Sequence, residues 1–443
     1  MKERRAASRK WLSSFRQLHC ALVKVLKQKL FISILLLGLQ GAARAAGEPQ
    51  ASVAKTSPRA SATASSVQAG RKKFVLDVVQ SAVALPQPDP QDRLRVLNSA
   101  ANVVSPIDHK MALQFAKEGT RIEADLITSG QTPAVSMLAA GNIDCASAAE
   151  FAERIPPAAV VQAEQSLIGA VTSCAKQALI PVQRKLETAL AQGIVAPRGL
   201  LAVMERVGVR TAWSQSNFEK MFSNLPSDAA VNKAEAPNYA AMYDRMAPEL
   251  DKDIAKSTGL KLLVWLGKLP DSGERTLSVN MATDAMKQAL GSKAYDEALS
   301  SDIMARQAAG MTGGKVEIEH PAEESVSVLD AMGNAKADQT DALRQMPASL
   351  RARQAAADGF ATGTSGNPKM AERYFDIAYS ALEEVWSNRA DGAVNAPSVL
   401  EEVNEAAAQV NPVAALQRAQ KLSDPSAQAI SMLAVARVVV GGQ

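Results

Sequence analysis

From Phe74 onward, apolar residues return at helical spacing, and Asp-Pro, Ser-Pro and Asn-Pro pairs mark breaks between the runs. Asn or Asp accepts hydrogen bonds from the free N–H groups of a first helical turn. Proline fits the first helical position because its missing N–H would be unpaired there. The last thirty residues show the unit. Asn411-Pro412 opens a helix with Ala415, Leu416, Ala419 and Leu422 on one face, and Asp424-Pro425 opens a second with Ala429, Met432, Leu433, Ala436 and Val439. The second is apolar almost all round, which suits a helix packed on several sides. A short link between them predicts an antiparallel hairpin.

Taken in order, residues 46–72 are Ala, Ser, Thr and Pro with scattered charges and no helical repeat, so a disordered tether is expected there. A short first helix carries Phe74, Val75, Val78 and Val79, and Asp89-Pro90 opens a second with Leu94, Leu97, Ala101 and Val104. The third bears Ala112, Phe115, Ala116, Gly119, Ile122 and Leu126 on one stripe. A mid-helix glycine costs about 1 kcal/mol, so Gly119 predicts another helix passing close by. Helices follow over 134–140, 144–154 and 157–180, with Pro181 and Pro197 each beginning another. Ser216 to Glu219 and Ser398 to Glu401 read as capping boxes, in which Ser and Glu satisfy each other's backbone donors. Residues 224–237 are polar and irregular, and are the expected boundary between an N-terminal helical domain, 73–223, and a C-terminal repeat-like domain, 238–443. Leu260, Leu262, Leu263, Trp265 and Leu266 form an apolar patch that must be covered. The expected fold is all-α, with antiparallel helix hairpins in an elongated, irregular solenoid-like array.

The helix starts at Asn367 and Asn411 are 44 residues apart, within the roughly 34–47 of two-helix repeats. Ala371-Glu372-Arg373-Tyr374-Phe375-Asp376-Ile377-Ala378, and Ala414 followed by Asp424-Pro425 and an Ala-rich helix, resemble bacterial exported helical-repeat proteins of the tetratricopeptide and HEAT type. The resemblance covers about residues 347–443, and more faintly 89–127. It implies a scaffold with a partner-binding surface, and it brings no catalytic residues.

Charge changes this picture once it is placed along the chain. The net +4 hides a basic N-terminus: residues 1–45 hold ten Lys and Arg against Glu3, so their removal leaves −5. A basic region to Lys29, the apolar run Leu30 to Leu39 and the small-residue stretch Ala43-Arg44-Ala45-Ala46 form the pattern of a secretory signal peptide cut after Ala45. A membrane span needs about 20 apolar residues, twice this run, so no transmembrane span is expected after cleavage. The expected location is the periplasm or the extracellular space. A mildly acidic mature chain has no electrostatic reason to bind nucleic acid.

Candidate chemistry is sparse. Cys145 and Cys174, the cysteines left after cleavage, are expected to form a disulfide in an oxidising compartment. His109 follows Asp108 in a first helical turn, and His320 stands beside Glu317, Glu319, Glu323 and Glu324 without a tight ligand spacing. Gly310 to Lys315 lacks two residues of a phosphate loop. Ser52 to Lys55 and Ser173 to Lys176 match Ser-x-x-Lys without a Lys-Thr-Gly partner. No cofactor or metal is expected. Glu324-Ser325 resembles the start of a lytic transglycosylase site but lacks the glycine-rich stretch after it, which keeps an envelope enzyme acting on glycans such as peptidoglycan as the alternative function. Tyr379 and Trp386 lie seven apart on one face and are either packed between repeats or a partner-binding patch. The leading expectation is a non-enzymatic scaffold that binds another protein in the cell envelope.

Overall fold

In a computed structural model, residues 58–141, 143–227, 229–310, 343–389 and 395–441 are described. They form seventeen α-helices and no strand among the described residues. The chain divides into Met1–Ser65 and Ser66–Gln443, and the packing below is that of the second unit. The first helices are α1 (Pro58–Ala84), α2 (Pro90–Val104), α3 (His109–Thr128), α4 (Cys145–Arg154) and α5 (Glu164–Ala191). Next come α6 (Pro197–Val207), α7 (Ala212–Ser223), α8 (Ala229–Met246), α9 (Lys252–Gly267), α10 (Gly273–Leu290), α11 (Ser292–Ser300) and α12 (Ile303–Gly310). The last five are α13 (Ala348–Thr364), α14 (Pro368–Ser387), α15 (Ala396–Val410), α16 (Pro412–Ala419) and α17 (Pro425–Gly441).

The helix starts follow from short polar caps. Asp89 accepts from the Gln91 N–H at 2.9 Å, Asp108 from Met111 at 3.0 Å, and Asp144 from Ser147 at 3.0 Å. Asn411 accepts from both Val413 and Ala414, and Asp424 from Ser426 and Ala427, so the proline-marked starts of the last hairpin are as expected. Each such cap contributes about 1 kcal/mol.

Several local expectations differ. Of the tether expected over 46–72, residues 46–57 lie outside the described residues, and 58–72 are helical: alanines 60, 62, 64 and 69 favour a helix despite the lack of an apolar stripe. Ser216 lies inside α7 rather than at its start, since Thr211 caps that helix and the Ser214 hydroxyl donates to Gly208 O at 2.7 Å. Ser398 likewise lies one turn inside α15, whose cap is Asn395; the Ser398 hydroxyl donates to Glu402 instead. Pro181 falls within α5, which runs on through it and departs from helical geometry at Cys174. Residues 134–140 are turns, not a helix. Residues 224–237 are helical from Ala229, and the Trp265 indole N–H reaches back to Pro226 O at 2.8 Å.

The buried apolar side chains gather in two large clusters. One runs from Ala124 on α3 to Ala308 on α12, and includes Phe151, Phe218, Phe222, Tyr239, Tyr243 and the Leu262-Leu263-Trp265-Leu266 patch. The other brings early and late helices together: Val75, Val78, Val79 and Ala82 of α1 and Val96, Ala100 and Val103 of α2 pack with α13 to α17. The α17 helix is buried on all sides from Ser426 to Ala436, as its apolar sequence predicts. It touches α2, α15 and α16. A smaller cluster of Leu94, Ala101, Ala116, Leu126 and Met137 seats α3 against α2 and the 133–141 segment.

Candidate functional site

A groove of about 390 Å³ lies between α3 and α4. One wall is the α3 stripe Gln114, Lys117 and Arg121, at positions i, i+3 and i+7. The other is Ser147, Glu150 and Arg154 of α4 at the same spacing, with Thr120, Ala124 and Phe151 as the floor. Helical residues at this spacing share a face, so each polar rail is written into its own helix, and only the fold sets the two opposite one another. Within the groove, Arg154 is engaged by Asp125 at 2.6 Å and Glu118 by Arg93 at 2.8 Å. Lys117, Arg121 and Glu150 make no ion pair with any described residue and are exposed.

Both walls are fixed from behind. Behind α3 stands Glu123, a fully buried carboxylate. Its Oε2 accepts from the Met137 N–H at 3.0 Å, and its Oε1 accepts from the Ser166 hydroxyl, which lies 3.0 Å from the Ser136 hydroxyl. Burial pushes this carboxyl up to about 6, against the lowering effect of those donors. Glu123 thereby ties α3, the 133–141 segment and α5 together. The close approach that Gly119 predicts is real, but what fills the space is the Met137 side chain rather than a helix; a Cβ on Gly119 would lie 2.7 Å from its sulfur. Gly169 of α5 meets the same segment from the other side, with Leu138 O only 2.3 Å from where its Cβ would stand.

The α4 wall is held by Cys145 and Cys174, which form the expected disulfide, with Cα atoms 5.3 Å apart. The bridge links the first residue of α4 to the middle of α5. The Asp144 carboxylate caps the same turn through the Ser147 N–H and, at 2.6 Å, the Ser147 hydroxyl. At the far end the Lys185 ammonium donates to Glu153 O at 3.1 Å.

The other sequence candidates lie elsewhere. Tyr379 and Trp386 are buried, at 7% and 3% exposure, so neither forms a free face. The Tyr379 hydroxyl donates to Asn404 Oδ1 at 2.5 Å, and the Arg389 guanidinium stacks 4.3 Å over the Trp386 ring. His109 is exposed at the start of α3, and Ser173 and Lys176 are exposed on α5. Ser52 to Lys55, Met311 to Lys315, the acidic cluster around His320 and Glu324-Ser325 lie outside the described residues. Among the described residues no group of three His, Cys, Asp or Glu side chains could hold a metal ion, and no helix is long and apolar enough to cross a membrane. Sequence reading missed Glu123, although its position four residues after Gly119 places a charge on the buried stripe. No protein-family model, no curated protein and no solved structure matches this chain.

Proposed function

We propose that the protein is an exported, non-enzymatic helical scaffold whose α3–α4 groove receives a segment of a partner polypeptide in the cell envelope or outside it. The observation that carries this reading is a groove whose two walls are braced from behind while three charges on its rim stay unpaired among the described residues. A preformed cleft spares its ligand the cost of ordering it. Lys117 and Arg121 suit carboxylates of the incoming segment and Glu150 suits a basic side chain, while Phe151 and Ala124 offer apolar floor. Such charges guide encounter and register more than they add affinity. The disulfide fits the oxidising compartment that the N-terminal pattern implies.

The test is a photo-reactive amino acid placed at Gln114 in living cells, with the same residue at Lys293 of α11 as control. One recurrent protein adduct from position 114 and none from 293 is the expected result. The same adducts from both positions, or none from 114, would refute the groove as a docking site. Export is tested separately: the intact mass of native protein should lack residues 1–45.

A further inference from the structure

Residues 133–141, on the way from α3 to α4, are turns without the hydrogen-bond ladder of a helix or strand. Gly130 and Gly141 bracket them, both with positive φ, 80° and 87°. Such left-handed positions favour glycine and can absorb a backbone rotation. Between the two, Met137 fills the notch left by Gly119 on α3, and Leu138 rests against Gly169 on α5. At the start of the segment the Ala134 N–H donates to Gln91 Oε1 at 2.7 Å, and Gln91 Nε2 donates to Thr132 O at 3.0 Å. At its centre the Met137 N–H and the Ser136 hydroxyl meet Glu123 and Ser166.

Glu123 is fully buried and has no cation beside it among the described residues. The charged side chains of the surrounding elements are engaged elsewhere: Arg93 of α2 pairs with Glu118, Arg154 of α4 with Asp125, and Glu164 of α5 with Arg198. Lys117 and Arg121, on its own helix, line the groove. What faces the carboxyl is the Met137 N–H and the hydroxyls of Ser166 and Ser136. A hydroxyl can donate or accept. When Glu123 is neutral, its O–H can donate to Ser166 and Ser166 to Ser136, so every group is satisfied. When Glu123 is ionised the chain of hydroxyls runs the other way, but a buried charge without a counter-ion remains, and hydration is its relief. Water reaches it most easily by displacement of the segment, because α3 and α5 are closed by their own backbone bonds.

We propose that residues 133–141 form a strap latched by the neutral Glu123 carboxyl, which lifts off α3 and α5 about its glycine ends as pH rises toward neutrality. Release uncovers Met137 and removes the brace behind the α3 wall, while the disulfide keeps α4 on α5. The device is independent of what the groove receives. With the buried carboxyl at about 6 and a hydrated one at 4.5, the released form gains about fifteenfold over the latched one between pH 4.5 and 7.5.

The experiment uses methionine oxidation as the reporter, since Met137 is 1% exposed, Met204 of α6 0% and Met304 of α12 54%. The full chain is treated with dilute hydrogen peroxide from pH 4.5 to 7.5, and sulfoxide at each position is followed by peptide mass spectrometry, with Met304 correcting for any change in the reagent. Oxidation of Met137 relative to Met304 should rise about fifteenfold across this range. Met204 should stay protected, and Glu123→Gln should abolish the rise. A Met137 rate that is flat with pH, the same rise in Glu123→Gln, or a Met204 rate that climbs in step would overturn the strap. The comparison of Met137 with Met204 needs only the wild type, so it decides the matter even where the variant does not fold.

Discussion

Changing Glu123 to Gln tests the account of the α3 wall at its centre. The carboxyl is raised from 4.5 to about 6 by burial. The shift of about 1.5 units corresponds to about 2 kcal/mol. Because the folded-state value is raised, the stabilising contribution is complete below the unfolded value and is lost as pH climbs through about 6. Glutamine keeps the shape and cannot ionise. Its amide oxygen still accepts from the Met137 N–H, and the Ser166 hydroxyl can rotate to accept from the amide nitrogen. Urea unfolding of wild type and variant, followed by circular dichroism from pH 4.5 to 7.5, isolates this group, since all other titrations cancel in the difference. The variant should gain about 2 kcal/mol on the wild type over that range, most of it between pH 5 and 7. A difference that stays flat with pH, or that favours the wild type at pH 7.5, would refute the reading of Glu123 as a buried carboxylate held against its own desolvation. Glu123→Ala should behave otherwise, costing about 3 kcal/mol at every pH, because it orphans the Met137 N–H and leaves a cavity.

Replacing Cys145 and Cys174 together with Ala should lower unfolding stability by about 3 kcal/mol, since the bridge joins cysteines 29 positions apart in the chain. A reductant should destabilise the wild type by the same amount and leave the double variant unmoved. Gly169→Ala should cost more than Gly119→Ala, because its Cβ meets the backbone carbonyl of Leu138 whereas the other meets the flexible Met137 side chain; thermal melts of both decide the order. We expect Tyr379→Phe to cost about 1–2 kcal/mol in chemical denaturation, by leaving the buried Asn404 Oδ1 unpaired.

What could be read from the residues was mostly local. Asp89-Pro90, Asn367-Pro368, Asn411-Pro412 and Asp424-Pro425 announce helix starts because cap and proline act within one turn, and the structure starts helices there. The paired cysteines were legible from their number, given the export that the N-terminal pattern leads one to expect. Ser216 and Ser398 misled because Thr211 and Asn395, slightly upstream, are competing caps, and the winner is settled by where the preceding helix stops. The helix reaching back to Pro58 had no amphipathic pattern to reveal it. Tyr379 and Trp386 share a face, but which face is covered depends on α15 and α16, many residues away. The groove belongs to the same class: the 114-117-121 and 147-150-154 rails were each visible as polar positions, and nothing in either stretch says that they face one another.

The apolar cluster that joins α1 and α2 to α13 through α17 bears on the order in which the molecule can be made. Arg437 holds Ser99 across 338 residues of chain. At roughly 5–20 residues per second, synthesis of that interval takes about 17–70 s. For most of it, until α13 to α17 are made, Val96, Ala100 and Val103 have none of their C-terminal neighbours, and by then the cluster from α3 to α12 has all of its own. The middle of the protein is therefore able to mature first, with the opening helices waiting for the closing ones. A chain cut short before α17 would carry a sound interior and an uncovered α2, a ready target for holdases and proteases. Synthesis of α17 is in this sense a quality checkpoint on the fold.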